Sequence, residues 1–182
     1  MNINKIKTKK NLQSGFTLIE ILVVMVIIGI IATIGFGSFQ SSQTKGRDAS
    51  RKSDLDQIGK ALETYYNDKG QYPTDTGGLI NGCSSGSACD WGDPFTDENG
   101  TNYMIEVPAD PRSARNYYYS STDGTSFQIY ARLENELDKG IPVDVSDNKQ
   151  EYSGLDCGGG NCNYGISSPN TTPGTGRGLV AI

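Results

Sequence analysis

A carboxylate stands inside the most apolar stretch of the sequence. Residues 16–36 are mostly aliphatic and carry a single charge, at Glu20. About 20 apolar residues in a helix are enough to cross the hydrocarbon layer of a membrane. A carboxylate in such a helix costs roughly 2.5–3.5 kcal/mol on insertion scales, which indicates that it has a function and a partner. The chemistry that Glu20 predicts is therefore an interaction with a partner inside this apolar stretch.

The charge that precedes this stretch predicts its orientation. Residues 1–15 contain Lys5, Lys7, Lys9 and Lys10 and no acidic residue, a charge of +4. Positively charged flanks stay in the cytoplasm, so we expect the chain after residue 36 on the outer side of the membrane. A secretory signal peptide is the alternative, but its apolar region has only roughly 7–15 residues and leads into a small-residue cleavage site.

Four cysteines lie in glycine-rich stretches of this outer part: Cys83, Cys89, Cys157 and Cys162. Disulfides form and persist outside the cytoplasm, which favours them over free thiols. Four cysteines allow three pairings, among which proximity favours Cys83–Cys89 and Cys157–Cys162 without deciding. A four-cysteine zinc site is the alternative, although neither pair has the usual two-residue spacing. In either case the cysteines are predicted to be structural.

Acidic residues in the C-terminal loops are candidates for a cation site: Asp138, Asp144, Asp147 and Asp156. Calcium binds several carboxylate and carbonyl oxygens on flexible loops. The spacing is not that of an EF-hand, and a solvated acidic surface is the more common origin of such clusters. Structural calcium is therefore the one cofactor that the sequence indicates, and none is required.

Composition excludes most catalytic chemistry. The chain has 182 residues and no histidine, which removes imidazole bases and histidine-dependent nucleophiles. It also contains no phosphate-binding loop, dinucleotide fingerprint or nucleophile elbow. After residue 15 the chain carries 12 basic and 21 acidic residues, a charge of −9, which argues against nucleic-acid binding by the folded part. We therefore predict that the protein is not an enzyme.

Around Glu20 the sequence reads Gly15-Phe16-Thr17-Leu18-Ile19-Glu20, after the lysine-rich leader and before the apolar run. This motif resembles the processing site of type IV prepilins and pseudopilins. The resemblance implies that a membrane peptidase removes residues 1–15, that the new amino group of Phe16 is methylated, and that Glu20 is the assembly carboxylate. Glu20 lies one helical turn from that amine and can pair with it or with the amine of a neighbouring subunit.

Beyond residue 36 the helical pattern becomes amphipathic. Leu55, Ile58, Leu62 and Tyr65 share one face, and Gly70 with Pro73 just beyond is typical of a helix end. We therefore expect one helix from residue 16 to about residue 69. Its first part, residues 16–36, would be the transmembrane and assembly helix.

The remaining chain predicts a small head of antiparallel strands. The clearest strand alternates Phe127, Ile129, Ala131 and Leu133 on one face, after a turn at Asp123-Gly124. The segregated order of one helix followed by strands indicates an α+β fold. Within a head spanning 37–182, we expect a loop region over 70–102, a sheet over about 103–134, and loops and a tail over 135–182 with a short strand near 179–182.

The resemblance implies a structural filament subunit. The helix end, Tyr65-Tyr66-Asn67-Asp68-Lys69-Gly70-Gln71-Tyr72-Pro73, is similar to the major pseudopilins of type II secretion, which also carry calcium in loops after the sheet. We predict such a pseudopilin, with a surface type IV pilin and a membrane-tethered extracytoplasmic binding module as alternatives.

The resemblance also implies partners and a location. The partners are the prepilin peptidase and methyltransferase, other pilin subunits, membrane lipid, and an inner-membrane assembly platform with a separate ATPase. The precursor would be a single-pass protein of the cytoplasmic membrane with its N-terminus in the cytoplasm. The mature form would belong to a periplasmic or cell-surface filament.

Overall fold

The protein is described from a computed structural model that covers residues 15–83 and 87–182, with side chains except at 34–38. The chain divides into two compact units, the first ending at Ser41 and the second spanning Ser42–Ile182. Of the predicted leader, residues 1–15, all but Gly15 lies outside the described residues.

The predicted long N-terminal helix is present as α1, Leu18–Lys69, with 52 residues. It ends where the sequence indicates. Gly70 has a φ of 74°, and its N–H donates to the Tyr66 carbonyl at 2.8 Å. Glycine adopts this left-handed conformation without a steric cost, so Gly70 closes the last turn and redirects the chain.

For residues 16–36 the expected transmembrane segment stays a prediction. Across residues 15–83 and 87–182, no helix has the length and apolar character needed to cross a membrane.

Nine short strands follow the helix, and all their pairings are antiparallel. β5, β6 and β8 form a three-stranded sheet in that order, while β1–β2, β3–β4 and β7–β9 are two-stranded. The structure therefore confirms the α+β class. The strands are β1 Asp75–Thr76, β2 Leu79–Ile80, β3 Phe95–Thr96, β4 Asn102–Met104, β5 Tyr118–Ser120, β6 Gln128–Ala131, β7 Gln150–Tyr152, β8 Tyr164–Ser167 and β9 Leu179–Ala181.

The expected layout of the head needs three corrections. The predicted loop region over 70–102 contains β1, β2 and β3, and β4 pairs with β3 instead of joining the central sheet. The predicted C-terminal loops supply β8, which pairs along β6 with Ile129 opposite Ile166. β8 has the sequence Tyr-Gly-Ile-Ser, in which Tyr164 and Ile166 alternate with small residues, so a short strand signal was present in the sequence. The short C-terminal strand is confirmed as β9.

β6 lies at the centre of the packing, because both of its faces are buried. Phe127, Ile129 and Ala131 belong to the main apolar cluster together with the helix residues Leu55 and Ile58. Tyr130 instead belongs to a second cluster with Tyr152, Leu155, Cys157 and Cys162. The predicted alternation along this strand is thus confirmed, and its second face is covered by the C-terminal segment.

A buried arginine joins the helix to the loops of the head. The Arg51 side chain is fully buried. Its guanidinium donates in bidentate fashion to Asp110, from Nε at 2.7 Å and from Nη2 at 2.9 Å. Nη1 contacts Asp48 at 2.8 Å, and Nη2 lies 2.9 Å from Glu134. Paired on three sides, this cation avoids the cost of an uncompensated buried charge.

The carboxylates around Arg51 are held from other sides as well. Asp48 accepts from the backbone N–H groups of Glu134 at 2.9 Å and Asn135 at 2.8 Å. Glu134 accepts from Nε and Nη2 of Arg47 at 2.9 and 2.6 Å. The segment after β6 is therefore fixed to α1 by charge-assisted hydrogen bonds that reach its backbone.

Removing Arg51 should be strongly destabilising. We expect Arg51→Met to lower the free energy of unfolding by about 3–5 kcal/mol, because it leaves the buried carboxylates of Asp48 and Asp110 without their cation. The measurement is urea unfolding of the full-length chain in detergent. Unfolding is followed by the fluorescence of Trp91, which packs edge-on against Tyr117.

Arg112→Ala is the matched control. Its side chain is 51% exposed, so its pair with Glu134 should contribute at most about 1 kcal/mol. Equal stability of the two variants would contradict a structural role for Arg51.

Glu134 should make stability depend on pH. Hydrogen bonds from Arg47, and further ones from Arg51, lower the pKa of Glu134 to about 2 from an ordinary 4.5. A carboxylate with a lowered folded pKa stabilises the fold above the unfolded pKa. This contribution is lost as the pH falls from about 4.5 towards 2. In the same assay, Glu134→Gln should be less stable at pH 7 and should lose less stability on acidification than the parent. A parallel pH profile would refute this role of Glu134.

Candidate functional site

Glu20 occupies the first turn of α1, where it forms a capping box with Thr17. The Thr17 backbone N–H and hydroxyl both donate to Glu20 Oε2, at 2.7 and 2.8 Å. In return the Glu20 N–H donates to Thr17 Oγ1 at 3.3 Å. The pattern Thr-x-x-Glu at a helix start satisfies two otherwise unpaired backbone donors. Glu20 thus stabilises the start of its own helix.

This geometry leaves half of the carboxylate available. Both Thr17 donors bind Oε2, and Oε1 has no hydrogen-bond partner among the described residues. The amine that is expected to pair with Glu20 would come from cleavage of the Gly15–Phe16 peptide bond. The capping role of Thr17 was not predicted, although the Thr-x-x-Glu spacing is a sufficient signal for it.

The residues at the predicted cleavage point are accessible. Gly15 is exposed, and among the described residues no atom lies within 4 Å of the position that a Cβ would take. The Phe16 side chain is 86% exposed. The structure therefore places the Gly15–Phe16 peptide bond just before the helix, in an open and non-helical segment.

A continuous apolar surface follows these residues along α1. Exposed apolar side chains occupy nearly every position, with exposures from 48% at Val23 to 86% at Phe16. Soluble monomers rarely expose apolar surface on this scale, and such a surface marks an interaction site. The side chains are Phe16, Leu18, Ile19, Ile21, Leu22, Val23, Val24, Met25, Val26, Ile27, Ile28, Ile30 and Ile31.

The cysteines form the two bridges that proximity favoured. Cys83–Cys89 and Cys157–Cys162 are disulfides, with Cα–Cα distances of 5.5 and 5.1 Å. The alternative of a four-cysteine zinc site is wrong, because each of the four is paired with another cysteine. The first bridge packs in the main apolar cluster and the second in the smaller one, so both are structural.

The four calcium candidates do not come together. Across residues 15–83 and 87–182, no group of three or more Asp, Glu, His or Cys side chains is placed to hold a metal ion. Asp138 pairs with Lys52 at 2.6 Å, and Asp144 caps its own turn by accepting from Ser146 and Asn148. Asp156 accepts from the Gly158 N–H at 2.8 Å, and Asp147 has a φ of 64°. Most of these acids thus serve local turns, which composition alone did not reveal.

Two family models match the chain. A model described as the prokaryotic N-terminal methylation motif matches residues 10–36. A second, described as type II secretion system (T2SS), protein G, matches residues 39–140, more than half of the chain. The chain belongs to the type II secretion system protein G family. Residues 141–182, which contain β7, β8 and β9, lie outside both matches.

Proteins similar to this chain include members of the same family. The type II secretion system core protein G of Aeromonas hydrophila is 33% identical over 103 residues, covering 57% of this chain and 70% of that protein. That of Pseudomonas aeruginosa is 32% identical over 120 residues, covering 65% and 82%. The fimbrial protein EcpC of Eikenella corrodens is 36% identical over 66 residues, 36% of this chain and 43% of that protein. No solved structure matches the chain.

The capping box predicts a measurable effect of Thr17. We expect Thr17→Val to weaken the start of the helix by about 1 kcal/mol, because it removes the hydroxyl that makes two of the three hydrogen bonds. Amide hydrogen exchange of residues 19–21, measured on the full-length chain in detergent, should accelerate about fivefold. Thr17→Ser retains the hydroxyl and should exchange at the parental rate. Equal rates in all three proteins would rule out a contribution of the box.

Proposed function

We propose that this protein is a structural subunit of the pseudopilus of a type II secretion system and that it assembles through the N-terminal part of α1. The observation that carries the proposal is a carboxylate with one free oxygen, set in a continuous exposed apolar surface next to an accessible Gly15–Phe16 bond. Membership in the protein G family supports the same function and implies a structural protein.

The first step of this function is maturation. A prepilin peptidase would cut after Gly15, and its methyltransferase activity would modify the amine released on Phe16. The exposure of both residues is what such an enzyme requires, since it must reach the peptide bond from the side. Cleavage also leaves Thr17 and Glu20 in the chain, so the mature helix keeps the residues of its N-cap.

The second step is assembly by helix packing. Burying the exposed apolar side chains against neighbouring helices would remove them from water or lipid. The new amine would then become a cation among apolar groups, which is costly without a counter-ion. Oε1 of Glu20 is available to accept it while Oε2 remains bound to Thr17. Pairing with the amine of a neighbouring subunit would fix the register of the filament, and this is the arrangement we propose.

The remaining parts of the proposal follow from the family. It implies a membrane-anchored precursor and a periplasmic filament, built from copies of this chain and related pilin subunits. Movement would come from an assembly platform with a separate ATPase. A surface pilus is the second candidate, favoured by the likeness to a fimbrial protein, but that likeness covers less of the chain than the secretion relatives do.

Maturation predicts a defined mass. The protein isolated from a host with an active prepilin peptidase should begin at Phe16 and carry one added methyl group. Intact-mass spectrometry with N-terminal sequencing measures both. Gly15→Leu should leave the chain uncut, because the branched side chain obstructs the bond that glycine leaves open. A wild-type chain that still begins at Met1 in such a host would refute processing and favour a simple membrane tether.

Assembly predicts that the charge of Glu20 is required independently of its role in the cap. Glutamine also completes a capping box, so Glu20→Gln should keep the helix start while losing the counter-ion. We expect this variant to be processed but to form at least tenfold fewer filaments, counted in sheared fractions by electron microscopy. Glu20→Leu, which loses both properties, should assemble no better. Normal filaments from Glu20→Gln would exclude the ion pair.

A further inference from the structure

A polar pocket of about 330 Å³ opens between the β5–β6 turn and the segment 171–177. One wall comes from residues 120–128, which belong to the part matched by the protein G family, and the other from residues beyond that match. The pocket is therefore built in part by a C-terminal segment that lies outside both family matches. It belongs to the unit formed by Ser42–Ile182, whereas Glu20 belongs to the other unit.

Arg177, on the C-terminal wall, is a cation without a counter-ion. The other five arginines of the chain each lie within 4 Å of a carboxylate: Arg47, Arg51, Arg112, Arg115 and Arg132. Arg177 has no such partner among the described residues. Its Nη2 donates to the Ser120 hydroxyl at 2.6 Å, and its guanidinium lies 5.9 Å from the centre of the Tyr130 ring. A half-buried guanidinium that is held in position without a carboxylate partner can bind an anion.

The wall that carries Arg177 is fixed to the central strand. Gln128 Nε2 donates to the carbonyls of Thr172 at 2.7 Å and Thr175 at 2.9 Å. The Tyr130 hydroxyl donates to the Pro173 carbonyl at 2.6 Å. Both anchors come from β6, the most deeply buried strand, so the pocket exists before any ligand arrives and little ordering cost would oppose binding.

Several other polar side-chain atoms of the lining make no hydrogen bond within the described residues. The hydroxyls of Thr122 and Ser126 make none within the described residues, and neither does Oε1 of Gln128. Asp123 uses only Oδ1, which accepts from Thr125. The pocket thus combines one cation with separate donors and acceptors, a set that suits a ligand with one negative group and several hydroxyls.

We propose that this pocket binds an acidic sugar, with the carboxylate on Arg177 and the hydroxyls on Gln128, Ser126 and Thr122. The planar guanidinium matches a carboxylate, and Asp123 on the same lining repels a doubly charged phosphate about twice as strongly as a singly charged carboxylate. A neutral sugar would leave Arg177 unpaired. A simple carboxylate such as acetate would leave the hydroxyl and amide groups unused. The volume lies at the lower end of ligand pockets, about 300–1,000 Å³, and suits a single sugar unit.

The test uses the full-length chain in detergent and glucuronate as the probe, followed by saturation-transfer NMR. We expect a dissociation constant of about 1 mM. Arg177→Gln should weaken binding at least tenfold, and Arg177→Lys, which keeps the charge without the planar fork, should weaken it less. Arg112→Gln removes an arginine outside the pocket and should bind as the parent does. An oligouronate that binds more tightly than the monosaccharide would identify a polysaccharide as the source, and equal binding would identify the free sugar.

Several results would overturn the proposal. They are the absence of saturation transfer at about twenty times the expected dissociation constant, and unchanged binding by both Arg177 variants. Glucose binding as tightly as glucuronate would show that the cation has no role. Displacement of glucuronate by an equal concentration of acetate or of a short acidic peptide would show that the hydroxyls have none and would assign the pocket to a protein carboxylate. None of these outcomes depends on filament assembly, so the proposal stands or falls separately from the proposed function.

Discussion

The buried ion pairs of Arg51 are the interaction on which the rest of the head depends. A fully buried guanidinium is tolerable only if several carboxylates surround it, and here they come from α1, from Asp110 and from Glu134. The same carboxylates accept backbone N–H groups, so the electrostatic requirement fixes the course of the chain as well as the side chains. A segment held by these ion pairs cannot shift by one turn along the helix, whereas contact with an apolar face alone would allow such a shift. The apolar cluster of Leu55 and Ile58 then packs with its register already defined.

At the other end of α1 a single carboxylate has two tasks. Within its own chain Glu20 completes the N-cap, a task that needs only a hydrogen-bond acceptor. The proposed task in the filament needs its negative charge. The two are compatible because a carboxylate has two oxygens and Thr17 occupies one of them. Cleavage next to this cap would therefore create the cation without dismantling the helix start that positions its partner.

Local signals predicted the elements with strong periodicity or punctuation. The helix end at Gly70 and the alternation around Ile129 follow from spacing along the chain, and proximity favoured the disulfide Cys83–Cys89 without deciding it. Features that depend on distant residues were not predictable in this way. β8 has only a four-residue alternation that includes a glycine, and its pairing with β6 joins residues far apart in the sequence, such as Ile129 and Ile166. Asp138 pairs with Lys52, 86 residues away in the sequence, and Arg51 pairs with Asp110, 59 residues away. Composition therefore predicted acidic loops but not the ion pairs that these residues form.

The position of β8 in the sequence also constrains when the head can fold. β6 ends at residue 131, and the strand that covers its free edge begins at residue 164. During N-terminus-first synthesis and export, β6 therefore emerges with one edge unpaired, a state that favours association with other unfolded chains. Tyr130 stays uncovered for the same interval, because Tyr152, Leu155 and both cysteines of the second bridge also follow it. The head can thus cover this strand edge and this apolar surface only after the last quarter of the chain has been made.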